Sequence, residues 1–296
     1  MCMKVLVTGA SGLLGHKLVE ELLGKGHEVW GLYYSSEIKV EHEKLKKIKL
    51  DLRNRIGLED LILKIRPDVV VHSAAYTNVD GCERDRKYAW EVNVEATRVI
   101  ARAAYVTKAY LVYVSTDYVF DGEKGMYSER DIPAPINYYG LTKLIGEEIV
   151  KTSNVMYCIV RTSTIWGSPP GKKNFAMFVV DTLRAGGVVK AIADQYVSPT
   201  NNRLLAKAIA EIVERKPLGV LHVAGKRMSR YEFAVKVAEA FGLPTEKIVE
   251  ASMSDMKWVA RRPRDSSLDT SYAKRILDTP FDDMELALRI FREEYG

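Results

Sequence analysis

The stretch "VLVTGASGLLGHKLVEELL", residues 5–23, decides the fold. Its first residues predict a strand, and the apolar positions that follow recur with the period of an amphipathic helix. Between strand and helix, Gly9, Gly12 and Gly15 stand three residues apart. Glycines in such a turn let the backbone approach a pyrophosphate, which the free amides of the helix N-terminus then face. The residues that we expect to contact a dinucleotide here are Gly9, Ser11, Gly12, Leu13, Leu14 and Gly15.

Strand-like and helix-like segments alternate through the first two-thirds of the chain. Strands rich in Val and Ile that are joined by helices predict an α/β fold, a Rossmann-type doubly wound parallel sheet. We expect an NAD(P)-binding domain over residues 1–165, with a returning segment at about 201–224. After Trp166 the alternation loosens, and residues 166–200 and 225–296 are expected to form a smaller C-terminal substrate-binding lobe.

Two further segments carry local expectations. Residues 88–108, "YAWEVNVEATRVIARAAYVTK", predict one long helix. The charged run "KVEHEKLKKIK", residues 39–49, predicts a solvated surface segment near the end of the second strand.

Composition narrows the classes of protein. The chain has 296 residues, 47% of them hydrophobic, which is ample for one large core. Apolar runs fall well short of the ~20 residues that span a bilayer. The N-terminal stretch lacks the layout of a signal peptide, so we expect a cytoplasmic protein with no membrane partner. The net charge of +5 is spread among acidic and basic residues, with no basic stripe for nucleic acid.

Metal and disulfide chemistry are not indicated. Cys2, Cys82 and Cys158 show no CxxC spacing, and the five histidines show no ligand spacing, so we predict no metal site. Gln195 is the single glutamine among many Lys, Arg and Glu, a composition that favours a thermophilic source.

The end of the second strand bears on the choice of cofactor. An Asp or Glu there would bind the ribose 2′-hydroxyl of NAD and repel the 2′-phosphate of NADP. The sequence reads "GLYYSS", residues 31–36, and the first acid is Glu37. Since hydroxyls can accommodate a phosphate, we expect Tyr33 and Ser35 to contact the cofactor and NADP(H) to be preferred, with NAD(H) as the alternative. The next strand ends in Ala74, Ala75 and Tyr76, at the edge where such sheets bind ligands.

The segment "INYYGLTKLIGEE", residues 136–148, offers a catalytic pair. Tyr139 and Lys143 are four residues apart, about 40° around a helix, whereas Tyr138 lies about 140° from the lysine. An ammonium group near a tyrosine favours the phenolate and lowers its pKa. A hydroxyl on Thr116, in "VSTDYVFDG", can hold a ketone oxygen. We therefore predict Tyr139 as the proton donor in ketone reduction, with Ser115, Tyr139 and Lys143 also contacting the cofactor.

The glycine turn resembles the "TGxxGxxG" turn of the extended short-chain dehydrogenase/reductase superfamily. Its spacing departs from the more familiar G-x-G-x-x-G pattern. The resemblance implies that Asp51 and Leu52, in "KLDLRN", contact the adenine.

A narrower resemblance covers about residues 3–290. The strings "AAYTNVDGCE", "STDYVFDG", "YYGLTKLIGEE", "NFA", "DQYVSPT", "SRYEFA" and "ARRPRDSSLDT" occur in that order. Together they resemble the dTDP-4-dehydrorhamnose reductase family. This implies reduction of the C4 ketone of dTDP-4-dehydro-L-rhamnose by NAD(P)H, and a homodimer as in many relatives.

The resemblance also implies roles for single residues. Thr116, Tyr139 and Lys143 match the family's catalytic triad, and Asp117 matches its partner aspartate near the sugar. Arg262, in "ARRP", matches a basic residue that faces the sugar nucleotide. The substrate contacts implied in all are Thr116, Asp117, Thr164, Trp166, Asn174 and Arg262.

The chain departs from the family pattern in the sugar pocket. Where the family commonly reads "RTSWVY", this sequence reads "RTSTIWG". Thr164 takes the place of the substrate-facing tryptophan, and Trp166 follows two residues later, on the same face of a strand. Some bacterial members bind magnesium through an acid on the first helix, where this chain has Lys17. We therefore predict no such metal here.

Three alternatives stay open. A 4,6-dehydratase would carry an acidic pair after the threonine, but Tyr118 follows Asp117. A reductase or epimerase of another nucleotide sugar would use the same triad. A non-catalytic NADP-binding regulatory subunit, similar to the methionine adenosyltransferase β-subunit, would share the fold without the turnover.

Overall fold

Seven parallel strands form the central sheet of the computed structural model, which describes residues 2–296. In chain order the strands of the protein are β1 (Lys4–Thr8), β2 (Glu28–Tyr33), β3 (Leu45–Lys49), β4 (Val69–His72), β5 (Tyr110–Thr116), β6 (Tyr157–Thr162), β7 (Ile165–Trp166), β8 (Val189–Ile192), β9 (Tyr196–Val197), β10 (Thr200–Asn201), β11 (Gly219–His222), β12 (Met228–Ser229) and β13 (Ile248–Ala251). The sheet order is β11-β6-β5-β4-β1-β2-β3. The chain therefore winds outward in both directions from β1 and β4, and the prediction of a doubly wound parallel sheet is confirmed.

The helices are α1 (Gly15–Gly24), α2 (Arg55–Ile65), α3 (Val79–Arg84), α4 (Arg86–Trp90), α5 (Ala96–Thr107), α6 (Tyr138–Thr152), α7 (Phe175–Arg184), α8 (Asn202–Arg215), α9 (Arg230–Ala240), α10 (Ala273–Ile276) and α11 (Met284–Tyr295). Of these, α1 and α8 cover one face of the sheet, and α2, α5 and α6 cover the other. Short 3₁₀ turns lie at Asp117–Val119, Thr245–Lys247 and Met253–Asp255. Among residues 2–296, no helix has the length and apolar character that crossing a membrane requires.

The strands are buried on both sides because successive side chains point to opposite faces. In β1, Val5 and Val7 pack with α1 and α8 on one face, through residues such as Leu18 and Ile209. Leu6 packs on the other face with α2 and α5. Continuous apolar strands of this kind need cover on both sides, which gives the three-layer arrangement.

The C-terminal elements build a second core. We use "lobe" for α7, β8, α9, β13 and α11, whose buried side chains form one hydrophobic cluster around Trp166. Phe233 and Phe291 contact the Trp166 ring edge to face, with ring centroids 5.0 Å and 5.5 Å away. By contrast, α8 and β11 return to the sheet, where α8 packs against α1 and β11 pairs with β6.

The structure refines two local expectations. The predicted helix over residues 88–108 is interrupted by a π-helical turn at Glu91–Glu95, which divides it into α4 and α5. The charged run at residues 39–49 is solvated only in part, because residues 45–49 form β3, the edge strand paired with β2. Lysines are common on such edges, since their charge discourages pairing with another chain.

Candidate active site

A cleft of about 600 Å³ lies at the carboxyl ends of β1, β4, β5 and β6. This is the edge of a doubly wound sheet where ligands bind, next to the point where the strand order reverses. The residues predicted from the sequence that line it are Gly9, Ser11, Gly12, Leu13, Leu14, Gly15, Ser35, Ala74, Ala75, Ser115, Thr116, Asp117, Tyr139, Lys143, Thr164 and Asn174.

The glycine turn is shaped by close approaches of backbone to backbone. Gly9 has φ +69°, and a Cβ added to it would lie 3.0 Å from the backbone of Ala74 on the neighbouring strand end. A Cβ on Gly15 would lie 2.1 Å from the carbonyl oxygen of Gly9. Only glycine allows α1 to begin this close to β1. The turn also lines the cleft, so its backbone can face a bulky anion such as a pyrophosphate there.

A glycine also sets the position of α6. Asn137 caps the helix, its Oδ1 accepting a hydrogen bond of 2.8 Å from the Gly140 amide. A Cβ on Gly140 would lie 2.1 Å from the carbonyl oxygen of Tyr118. The first turn of α6 thus packs directly on the 3₁₀ turn that follows β5. This contact brings Tyr139 beside Thr116.

The two adjacent tyrosines lie in different surroundings. Tyr139 lines the cleft, and its ring meets the ring of Tyr118 edge to face at 6.1 Å. Tyr138 is turned away, with the guanidinium of Arg86 5.0 Å from its ring centroid. Its backbone amide donates to Glu83. The rotation per residue of an α-helix accounts for the separation.

Lys143 is buried at the floor of the cleft. Its Nζ donates a 2.8 Å hydrogen bond to the carbonyl of Val114 and lies 4.0 Å from the ring centroid of Tyr113. Burial lowers the pKa of Lys143 to about 7, and the charge of Glu147 acts in the opposite direction.

The pKa of Tyr139 differs from the expectation. Burial raises it, while the hydroxyl of Thr116 acts in the opposite direction. The predicted lowering by Lys143 is not found, because the lysine ammonium is directed at Val114 and Tyr113. Tyr139 is therefore a protonated phenol at neutral pH, which suits a proton donor.

Asp117 lies behind Thr116 in the cleft. It is almost fully buried and accepts hydrogen bonds from Thr116 (3.0 Å), from Ser163 (2.8 Å) and from Ser266. Burial raises the pKa of Asp117, and these hydroxyls oppose the rise. Its carboxylate is thus placed to orient the Thr116 hydroxyl.

Four predicted cofactor contacts lie outside the cleft lining: Tyr33, Asp51, Leu52 and Tyr76. Tyr33 packs against the core below the sheet, and its neighbour Tyr34 lines the cleft, because side chains alternate along a strand. Asp51 forms an ion pair of 2.6 Å with Arg53. Leu52 belongs to the core. The ring of Tyr76 packs edge to face on Tyr88.

Trp166 and Arg262, two predicted substrate contacts, do not line this cleft; the expectation for Trp166 is corrected, and that for Arg262 stays a prediction. Trp166 is fully buried in the lobe core. Thr164 has φ +37°, so no regular strand joins it to Trp166, and the two-residue period on which the expectation relied does not apply. Arg262 forms a 2.9 Å ion pair with Asp80, and its guanidinium lies 5.3 Å from the ring centroid of Trp258.

The motifs, the sheet and the site together invite comparison with known proteins. The family described as "RmlD substrate binding domain" matches residues 3–295. The chain belongs to the dTDP-4-dehydrorhamnose reductase family. The predicted family is thereby confirmed.

Two solved structures of this family resemble the protein closely. The crystal structure of a hypothetical dTDP-4-dehydrorhamnose reductase from Sulfolobus tokodaii is 46% identical, covers 97% of this chain and 99% of that chain, and has a TM-score of 0.87. The dTDP-4-dehydrorhamnose reductase from Bacillus anthracis, solved in complex with NADP, is 31% identical, covers 99% and 100%, and has a TM-score of 0.88.

Two curated relatives carry other names. The probable low-salt glycan biosynthesis reductase of Haloferax volcanii is 35% identical over 91% of this chain and 90% of its own length. The methionine adenosyltransferase 2 subunit beta of Pongo abelii is 32% identical over 90% of this chain and 80% of its own length. The chain is thus similar over most of its length both to reductases and to an adenosyltransferase subunit.

The structure shows polar residues that the sequence analysis missed. Asn93, inside the π-helical turn, is buried and brackets the backbone of Tyr76, accepting from its amide (2.7 Å) and donating to its carbonyl (3.2 Å). It also donates to Thr142 on α6. Asn93 therefore ties the segment after β4, whose Ala74 and Ala75 line the cleft, to α6. No sequence signal marks the π turn, although such turns are frequent at functional sites.

A buried ion pair supports the same helix in this reductase-family protein. Glu147 accepts two hydrogen bonds from Arg161, from Nε at 3.0 Å and from Nη2 at 2.7 Å, and a third of 2.6 Å from Ser115. Both charged side chains are almost fully buried. Glu147 stands one helical turn after Lys143, a spacing that a sequence search for i, i+4 partners could have found.

Proposed function

We propose that the protein reduces the C4 ketone of a nucleotide sugar with NADPH, and that dTDP-4-dehydro-L-rhamnose is its substrate. As a member of its family, the chain is an NAD(P)H-dependent oxidoreductase. One observation carries the proposal: Thr116, Tyr139 and Lys143 line the same cleft as the glycine turn. A ketone bound in this cleft would then lie near a proton donor and near a cofactor held by the glycine turn.

The surroundings of the cleft support NADP(H) as the preferred cofactor. The turn offers an open backbone at Gly9 and Gly15, which fits a pyrophosphate. Where β2 ends, the cleft is lined by Tyr34 and Ser35, and Asp117 is the only carboxylate among its described lining residues. An acid that would repel a 2′-phosphate is therefore not part of this lining. The Bacillus anthracis relative was solved with NADP.

In the proposed reaction the reduced nicotinamide, when bound, supplies a hydride to C4. Tyr139 donates its phenolic proton to the ketone oxygen, which becomes the hydroxyl of the product. The Thr116 hydroxyl has one proton, which it donates to Asp117 in a 3.0 Å hydrogen bond; when the ketone binds, this proton turns to the ketone oxygen as negative charge develops there. Asp117 keeps its hydrogen bonds from Ser163 and Ser266 and stays beside the Thr116 hydroxyl. Lys143 lines the same cleft, and its pKa of about 7 lets it hold or release a proton near neutrality; because its ammonium is directed at Val114, a proton would reach Tyr139 from it by way of solvent or a bound hydroxyl.

The identity of the sugar depends on the lobe side of the cleft. Thr164 and Asn174 line it, and threonine is much smaller than the tryptophan that the family commonly has at the Thr164 position. A pocket of this shape can accept another 4-keto nucleotide sugar. The name of the Haloferax volcanii relative, a glycan biosynthesis reductase, supports such a variant of the same chemistry.

A second candidate function is that of a regulatory subunit. The observation in its favour is the 32% identity with methionine adenosyltransferase 2 subunit beta. In that role the cleft would bind NADP without turnover. The hydrogen-bonded Thr116 and the protonated Tyr139 favour catalysis over this role.

The decisive experiment mixes the pure protein with NADPH or NADH and dTDP-4-dehydro-L-rhamnose and follows the nicotinamide absorbance. We expect oxidation of the cofactor that is faster with NADPH. The matched control supplies a UDP-linked 4-keto sugar. No oxidation with any nucleotide sugar, together with co-purification of a methionine adenosyltransferase, would decide for the regulatory role.

A further inference from the structure

One arginine in the cleft has no role in the reaction described above. Arg230, the first residue of α9, lines the cleft on its lobe side. It is partly buried and stands in the string "SRYEFA", for which no role of the arginine was predicted. Within residues 2–296, no carboxylate oxygen lies within 4.0 Å of its guanidinium. A charged group in such surroundings needs an opposite charge, and a ligand can supply it.

The guanidinium is held in place by the chain's single glutamine. Gln195 is fully buried; its Oε1 accepts a 2.8 Å hydrogen bond from Arg230 Nε, and its Nε2 donates to the Pro263 carbonyl at 3.1 Å. The backbone amide of Arg230 donates to the Gln195 carbonyl as well. Because Nε is engaged, the two Nη groups are left as the free part of the fork.

The neighbouring cations are engaged elsewhere. Arg227 pairs with Asp265 at 2.8 Å and covers the ring of Tyr196. In the cleft itself, Lys173 pairs with Asp181, and Lys143 is bound to the protein backbone. Arg230 is thus the guanidinium that the protein fixes in the cleft and leaves without a counter-ion. Two cleft lysines also lie in no ion pair among residues 2–296: Lys143, which is bound to Val114, and the exposed Lys172.

The position of Arg230 relative to Tyr139 selects the kind of anion. Tyr118 and Arg230 both line the cleft, where the charge of Arg230 opposes the rise that burial causes in the pKa of Tyr118, and the Tyr118 ring lies edge to face against Tyr139. Arg230 is therefore one aromatic ring away from the group that protonates C4. In a pyranose, C4 and C1 lie across the ring from each other, so a phosphate on C1 is displaced from the reacting ketone by a similar width.

We propose that Arg230 binds the diphosphate of the nucleotide-sugar substrate and thereby sets the distance between the ketone and Tyr139. The proposal rests on the nucleotide-sugar function proposed above. A fixed guanidinium can bind two phosphate oxygens at once, which a lysine cannot do. Arg230 acts in binding and positioning, and it takes no part in proton transfer.

The test measures binding of dTDP and of UDP to the full-length protein with NADP⁺ present, by titration calorimetry. Arg230→Ala is expected to weaken nucleoside diphosphate binding roughly 10- to 100-fold, the effect of losing charge-assisted hydrogen bonds. Arg230→Lys keeps the charge and is expected to lose about threefold to tenfold. Arg227→Ala removes the same charge three residues away, outside the cleft, and should stay within about twofold of wild type. Thymidine and NADP⁺ should bind all variants equally.

Three results would overturn the proposal. The first is an unchanged diphosphate affinity in Arg230→Ala, with or without a loss for a whole nucleotide sugar. The second is an equal loss for thymidine, which would indicate a structural effect. The third is a wild-type protein that binds neither dTDP nor UDP. A failed reductase assay alongside a specific loss of diphosphate affinity would sink the reductase assignment alone, and the reverse outcome would sink only the role of Arg230.

Discussion

The two sides of the cleft are built in different ways. On the sheet side, backbone approaches backbone, and Gly9, Gly15 and Gly140 are the residues that permit it. On the lobe side, side chains hold side chains, as when the buried Gln195 brackets Arg230. Contacts of the first kind can be recognised from short sequence motifs, such as the glycine turn. Contacts of the second kind join segments that are far apart in the chain. The sheet side is therefore set mainly by short segments of sequence, and the lobe side by contacts between distant segments.

The largest effect is expected on the sheet side, when each of the two tyrosines at the start of α6 is replaced in turn by phenylalanine. Tyr139→Phe removes the proton donor on the sheet side, and we expect kcat to fall about a hundredfold to ten-thousandfold. Tyr138→Phe is the matched control, since phenylalanine keeps the ring that contacts Arg86. It should change kcat less than about threefold. Steady-state kinetics with NADPH and the keto sugar measure both, and equal losses would contradict the assigned helix face.

A second test moves to the lobe, where Trp166 is expected to matter for stability and not for the substrate. Trp166→Ala removes a buried ring from between Phe233 and Phe291 and should cost about 3 kcal/mol of unfolding free energy. That is the low end for such a ring, because the indole Nε1 is buried without a hydrogen-bond partner among the described residues. Trp166→Phe should cost less than about 1.5 kcal/mol.

Urea unfolding measures both variants, and titration with dTDP shows whether the cleft is affected. If Trp166→Ala leaves the stability unchanged and weakens the binding of dTDP, then Trp166 belongs to the substrate pocket, as the sequence predicted.

Much of the sheet side could be predicted from the sequence because its signals are local. The glycine turn at residues 9–15 and the four-residue spacing of Tyr139 and Lys143 each lie within one or two turns of chain. Helical geometry and glycine sterics are enough to interpret them. The direction of Lys143 was less accessible, since its contact with Val114 depends on how closely α6 packs on β5.

The lobe side was predicted less well for a physical reason. Thr164 adopts φ +37°, a conformation that is rare for a β-branched residue and that the sequence pattern around it does not predict. The prediction for Trp166 assumed a regular strand and was wrong at that point. Arg262 was expected to face the substrate, but its partner Asp80 is 182 residues earlier in the chain. Arg230 went unnoticed because its orientation depends on Gln195, which lies in a different segment.

The smallest expected effect concerns His72, on the sheet side at the end of β4. Its ring lies between Thr8 (2.8 Å) and Thr97 (3.1 Å). The Thr97 hydroxyl donates to the carbonyl of Asn93, so it accepts from His72 Nε2–H, and Nδ1 accepts from Thr8. The neutral ring is thus fully satisfied, and burial lowers the pKa of His72 to about 3, from 6.5.

Because the folded pKa of His72 is the lower one, the unfolded chain binds the extra proton between these values. The contribution of His72 to stability is therefore complete above pH ~6.5 and decreases as the pH falls towards ~3. Between pH ~7 and pH ~5 it should cost the wild type about 2 kcal/mol that His72→Gln does not lose. Urea unfolding of both proteins at the two pH values measures the difference, and His42→Gln, at an exposed position, should behave as the wild type. Parallel pH dependence in wild type and His72→Gln would mean that the sheet side admits a charge at this point, and that its hydrogen-bonded frame is less rigid than the lobe that faces it.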